Sequence, residues 1–281
     1  MRISNLTERL KMERKLKNNK FHGKVAVITG TSSGIGECTA LTLRKYGCTV
    51  YGLTRNPRRE FEMTCDVTDK SGVDECVKRI AEKEGRIDFV VNNVGIGISG
   101  ALEFESSENI RRMMDVNIAG AINVVQSTMP YMRKSKGRYI NIGSVAGELT
   151  IAFQTMYSVT KAALLALSEG LAMEVKPFGV GVCCLQFGDI RSTFTAHRNK
   201  SFRGDDELYK GRIKRSVGKM ENDERHGYSV EFAADAVCKL LARKKFPVKY
   251  TAGAKYRFLL MLSRILPYKT VQKILYKMYA S

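Results

Sequence analysis

The chain has 281 residues, 44% of them hydrophobic, and a formal net charge of +19. That length suits one α/β domain with extensions, and the apolar share suffices for a sizeable core. No apolar run approaches the roughly 18 residues of a spanning helix, and the charged N-terminus lacks the apolar segment of a signal peptide.

The excess charge lies at the two ends. Residues 1–24 hold eight basic and two acidic side chains, and residues 239–281 hold eleven basic and none acidic, which leaves +2 for 25–238. Basic ends suit an anionic membrane surface, an anionic substrate or nucleic acid; a solvated surface is the plainest expectation, and nucleic acid is not expected. Seven cysteines form no C-x-x-C pair, and several lie in apolar runs such as Val182-Cys183-Cys184-Leu185. They read as reduced thiols in a cytoplasmic protein. With three histidines and no His/Cys cluster, no metal site is indicated.

In chain order, an apolar run over 24–29 leads into Gly30-Thr31-Ser32-Ser33-Gly34-Ile35-Gly36, and a helical pattern follows until Gly47. A second apolar run over 49–54 completes a βαβ unit. Strands are expected over 61–65, 88–92, 137–144, 180–186 and 248–251, and helices over 70–84, 106–134, 155–175 and 229–244. Ser229 reads as an N-cap with Glu231 in the first turn. The connection between 54 and 61 is very short, so no helix is expected there. Such alternation implies a parallel sheet covered by helices on both faces. Residues 188–227 are polar and read as a mobile loop with one or two helices; 254–280 holds two helical patterns divided by Pro267. The expected layout is a basic extension over 1–21, a catalytic domain over 22–253 with a substrate loop over 188–228, and basic amphipathic helices over 254–281. Ile3, Leu6 and Leu10 stand at helical spacing in the first segment.

A glycine-rich turn between strand and helix lets backbone N–H groups approach a pyrophosphate, aided by the helix dipole. The second strand ends in Leu53-Thr54-Arg55-Asn56, with Arg58 and Arg59 close behind, where an acidic residue would favour the unphosphorylated ribose. Arg55 matches a 2′-phosphate in charge and fork geometry, so NADP(H) is expected over NAD(H). Tyr157 and Lys161 fall on one helix face, and an ammonium beside a phenol lowers its pKa towards a useful acid/base range. Ser144 ends a strand, where its hydroxyl can bond a substrate oxygen.

With Thr29-Gly30-x3-Gly34-Ile35-Gly36, Asp66-Val67, Asn92-Asn93-Val94-Gly95, Asn117, Ser144, Tyr157 and Lys161, the chain resembles the short-chain dehydrogenase/reductase family over about residues 22–195. The resemblance implies a Rossmann-type, doubly wound sheet of about seven parallel strands in three α/β/α layers, here with a C-terminal helical extension. It implies Tyr157 as general acid/base, Lys161 on the nicotinamide ribose, Ser144 orienting the carbonyl and Asn117 holding a relay water. Gly30, Ser32, Ser33, Gly34, Ile35, Gly36, Arg55, Asp66, Val67, Asn93 and Ile190, with Tyr157 and Lys161, would hold the cofactor. Asp66 would sit at the adenine and Asn93 near the adenosine ribose.

Two departures stand out. Val94 replaces the usual alanine, and Phe187 replaces a proline beside the nicotinamide, where either Ser192 or Thr193 supplies a hydroxyl. The layout is similar to hydroxysteroid-dehydrogenase-like members, which implies a bulky lipophilic ketone or secondary alcohol and a homodimer or homotetramer. Phe194, Phe202, Tyr209 and Met220 are the expected apolar contacts. The C-terminal stripe from Phe258 to Leu266 suits burial against the domain, a wall of the substrate pocket, or an anionic membrane surface. A dinucleotide-binding protein with little turnover, or an enzyme of small carbonyls, are the competing readings.

Overall fold

A computed structural model of the protein describes residues 20–281. The expected helical spacing of Ile3, Leu6 and Leu10 lies outside them. Seven strands form one parallel sheet in the order β3-β2-β1-β4-β6-β7-β11. They are β1 (Val25–Thr29), β2 (Thr49–Thr54), β3 (Glu62–Thr64), β4 (Phe89–Asn92), β6 (Arg138–Ser144), β7 (Gly181–Phe187) and β11 (Lys249–Thr251). The order reverses beside β1, which places a crevice at the C-terminal ends of β1 and β4.

Alternate residues of each strand feed two different cores. Ala26 and Ile28 of β1 pack with Ala40 and Leu43 of α1 (Gly34–Lys45) and with Ala233 and Val237 of α8 (Val230–Leu241). Val25 and Val27 face the other way, against Val77 and Ile80 of α2 (Lys70–Glu84), Val124 and Met132 of α4 (Gly120–Ser135) and Leu171 of α5 (Thr155–Val175). This period of two explains why the strands read as unbroken apolar runs: both faces are covered. Ser229 caps α8 by accepting from Phe232 N at 3.3 Å. Phe21 is fully buried against Tyr46 and Phe89, so the packed domain begins at least one residue before the expected 22.

The region read as one helix over 106–134 is two helices. α3 (Ser107–Met114) and α4 are joined by a π-helical turn, Asp115–Ala119. The extra residue per turn leaves apolar composition unchanged, so periodicity does not reveal it; such turns gather at functional sites.

Residues 188–227 are not a loose loop. Two short parallel pairs stitch them down, β8 (Ile190–Arg191) with β10 (Tyr228–Ser229), and β5 (Ile98–Ser99) with β9 (Asn199–Lys200). Between them lie α6 (Phe194–His197) and α7 (Arg212–Arg225), whose Ile213, Val217 and Met220 pack into a small core with Ala101. The chain ends in α9 (Ala254–Ile265) and α10 (Tyr268–Tyr279), divided as expected by Pro267, which stands at the N-cap of the second. Among the described residues no helix is long and apolar enough to cross a membrane.

Candidate active site

The glycine turn follows β1 and opens α1. Gly30 and Gly34 have φ of +71° and +61°, which side chains rarely adopt. Gly36 has a different reason: a Cβ there would strike the Gly30 carbonyl. Asn93, after β4, pins the turn; its Nδ2 donates to the carbonyls of Thr29 (2.9 Å) and Gly30 (3.2 Å), and its backbone N–H to Thr29 Oγ1. Ser33 stands at the N-cap of α1 without a side-chain cap bond, which leaves first-turn N–H groups directed at an anion. These residues fit a pyrophosphate.

A cleft of about 850 Å³ runs from this turn across the sheet's C-terminal edge. Gly30, Ser32, Ser33, Gly34 and Ile35 line its cofactor end, with Arg55, Asp66, Val67 and Asn93. Arg59 is engaged elsewhere, pairing with Glu37 and Glu62, whereas Arg55 and Arg58 face the cleft. Burial alone would raise the Asp66 carboxyl, but two bonds from Thr68, at 2.9 and 2.7 Å, and the nearby Arg55 and Arg112 hold it below the usual range.

At the other end, β6 delivers Ser144 and α5 delivers Tyr157 and Lys161. The Ser144 hydroxyl accepts from Ala146 N at 3.1 Å and bonds the Tyr157 phenol. Lys161 donates to the Ile142 carbonyl at 2.8 Å. Burial lowers its ammonium to about 8. Tyr157 departs from expectation: burial raises its pKa to about 12, opposed by the Ser144 bond and Arg198. The Lys161 ammonium stands 5.5 Å from the ring centre and does not offset this rise. The tyrosine keeps an open side towards the cleft, which moderates the burial effect.

Asn117 occupies the π-helical turn and is buried. Its Nδ2 donates to Ile96 O and Thr160 Oγ1, both at 3.0 Å, and its Oδ1 accepts from Ile96 N at 2.8 Å. It therefore braces the loop after β4 against α5, behind the cleft wall. Phe187 is buried, pairs in register with Ser144 and lines the cleft. Of the two candidate hydroxyls, Thr193 bonds Ser33 at 3.2 Å and Ser192 accepts from Phe194 N at 3.3 Å. Ile190 lines the same stretch.

Of the expected substrate contacts, only Phe194 lines the cleft, with its ring 5.6 Å from that of Tyr157. Phe202 is exposed, Tyr209 packs on Phe153, and Met220 of α7 is buried in the small core with Ala101. An apolar residue in the right segment can face either way, and composition does not say which. The wall comes instead from α9 and α10, through Leu259, Leu262, Leu266, Val271, Ile274 and Leu275. Tyr256 anchors α9 by accepting from Asp189 N at 2.9 Å and donating to Asp189 Oδ2.

One pair was not expected from the sequence. Arg198, its side chain fully buried, pairs with Glu224, which lines the cleft and accepts from Thr195 Oγ1 at 2.5 Å. The two act oppositely on the Tyr157 phenol. Nothing in the spacing of residues 26 apart announces such a pair.

A profile of the short chain dehydrogenase family matches residues 24–203. The chain is 38% identical over 264 residues to a 3-ketodihydrosphingosine reductase of Bacteroides thetaiotaomicron, covering 92% of this chain and 98% of that one. It is 29% identical over 252 residues to the probable short-chain type dehydrogenase/reductase VdlC of Helicobacter pylori, covering 86% and 93%. A solved short-chain dehydrogenase from Streptomyces avermitilis superposes with a TM-score of 0.78 at 28% identity, over 90% and 95% of the two chains. The protein belongs to the short chain dehydrogenase family. It is an oxidoreductase of that type and binds a nicotinamide dinucleotide.

Proposed function

We propose that the protein is an NADPH-dependent reductase of a long-chain, amphiphilic ketone, also able to run the reverse oxidation of the secondary alcohol. The observation that carries the reading is the aliphatic wall of α9 and α10 flanking the cleft beside Tyr157. Leucine, valine and isoleucine side chains take a flexible alkyl chain without demanding polar partners. The likeness to a 3-ketodihydrosphingosine reductase over nearly its whole length supports a long chain over the rigid, steroid-like ketone expected from sequence.

When bound, the dinucleotide supplies the hydride. Arg55 and Arg58 favour a 2′-phosphate on it, and Asp66 and Asn93 border its adenosine end. Ser144 orients the carbonyl, and Tyr157 gives its phenolic proton to the carbonyl oxygen. Lys161 takes the nicotinamide ribose, and Asn117 holds the scaffold between the loop after β4 and α5. The same reading includes a homodimer or homotetramer in the cytoplasm, with the basic C-terminal helices at a membrane surface.

The test follows NADPH absorbance with 3-ketodihydrosphingosine, a steroid ketone and a short-chain ketone. Each buried methylene is worth about 0.8 kcal/mol, so kcat/KM for the long chain should exceed that for the short ketone by roughly a hundredfold or more. Equal values for all three, or turnover of the steroid alone, would remove the long-chain reading.

A further inference from the structure

We propose that α9 and α10 form a docking element for an anionic lipid surface and hold the mouth of the cleft against it. The lipophilic-substrate reading gives this arrangement its purpose, but vesicle binding by the two helices does not depend on it.

Each helix of the pair has more than one working face. On α9, Tyr256 and Leu260 are buried against the body. On the opposite side Phe258, Met261 and Ile265 recur about one turn apart and are 57%, 51% and 71% exposed. Leu259 and Leu262 lie between these faces and line the cleft. On α10, Val271, Leu275 and Met278 line the cleft. Lys269, Lys273 and Lys277 stand four residues apart on the other side, all exposed. None of these lysines has an acidic partner among the described residues, and no acidic residue follows Asp235 in the chain. An apolar stripe beside a row of cations of one sign is the pattern of a helix lying in a membrane interface.

The charge also selects the occupant. A second copy meeting this face across a two-fold axis would set lysines against lysines with no carboxylate to relieve them. Nucleic acid would leave Phe258, Met261 and Ile265 without a partner. Anionic headgroups with acyl chains beneath them satisfy both stripes. Arg243, Lys244 and Lys245 lie before β11, at the opposite edge of the parallel sheet, and take no part. An amphiphile drawn from such a surface would enter between α9 and α10 without crossing water.

The test is sedimentation of the full chain with sucrose-loaded vesicles, without ketone or cofactor. Vesicles of phosphatidylcholine alone are compared with vesicles containing phosphatidylglycerol, at low and high salt. Two variants are measured beside wild type: Lys269→Glu/Lys273→Glu/Lys277→Glu and Phe258→Ser/Ile265→Ser, each checked for folding by circular dichroism. Wild type should partition onto the anionic vesicles only, and less at high salt. The lysine variant should partition roughly a hundredfold more weakly, since each lysine at an anionic surface is worth about a factor of five. The apolar variant should also weaken, at unchanged charge. No partition by wild type overturns the proposal. So does full partition by both variants, which would assign binding to the basic N-terminal segment. Conversion of a dimer to a monomer by the apolar variant, with vesicle partition intact, would give the face to a second copy instead. Loss of the reductase reading would leave these sedimentation results unchanged.

Discussion

Lys161 stands over the ring of Tyr157: its Nζ lies 5.5 Å from the ring centre and donates to the Ile142 carbonyl at 2.8 Å. The two groups are thus pushed apart in pKa by burial, Tyr157 up to about 12 and Lys161 down to about 8. In the proposed reduction Tyr157 carries the proton, and Lys161, not the phenol, is the group brought nearer neutral pH.

Burial of Lys161 makes stability depend on pH. Its folded value of about 8 lies below the ordinary lysine value, which is about 10.4. Between these the unfolded chain binds the extra proton, so stability rises as pH rises through that window. Tyr157, shifted upward, acts only above the ordinary tyrosine value of about 10. Urea unfolding at about pH 7.5 and about pH 9.5, without cofactor, should show wild type gaining on the order of 2 kcal/mol relative to Lys161→Met. Parallel pH profiles for the two proteins would contradict the buried ammonium.

Tyr157→Phe keeps the ring that packs against Phe194 and removes only the proton. Ketone reduction should fall by about a thousandfold or more, within the range of a lost general acid. NADPH affinity, measured by fluorescence titration, should stay within a few-fold. Persisting turnover would place the proton donor elsewhere.

Arg55→Asp tests the cofactor preference. Losing a charge-assisted bond and gaining a repulsion should weaken NADPH binding by roughly ten- to a hundredfold. NADH binding should hold or improve. An unchanged ratio would give Arg55 to solvent and move attention to Arg58.

Arg198→Leu tests the buried pair. The substitution strands Glu224, whose side chain is only 15% exposed. Breaking one side of a buried pair costs about 3–5 kcal/mol, and the lower end suits this partly wet carboxylate. A thermal melt should show the loss, and the double variant Arg198→Leu/Glu224→Leu should recover part of it. A double variant no more stable than the single one would deny the coupling.

The sheet and the meeting of Ser144, Tyr157 and Lys161 at one cleft were legible because their signals are local. Runs that are apolar on both faces announce parallel strands, and Gly30, Gly34 and Gly36 answer to turn geometry and close approach. Ser144, Tyr157 and Lys161 stand at fixed separations in one segment. What was not legible depends on direction and on distant neighbours. The π-helical turn at Asn117 hides inside an uninterrupted helical pattern. Tyr209 and Met220 are apolar in the substrate segment yet turn into a separate small core. The wall from α9 and α10 was one of three uses open to the C-terminal stripe, and only its packing against the body selects among them. The upward shift of Tyr157 arises from burial, which spacing on a helix face does not report.

The contact between Gly188 and Tyr256 bears on how this family diversifies. A Cβ at position 188 would fall inside the Tyr256 ring, and the tyrosine hydroxyl closes on Asp189 next to it. The tail is therefore keyed into the preceding domain at this point, beside the packing of Leu260 on Val145 and the Arg264–Glu148 pair. It cannot be exchanged as a free cassette: a chimera carrying this tail on a domain with any larger residue at 188 would inherit the C-terminal helices without the seat that aligns Tyr256.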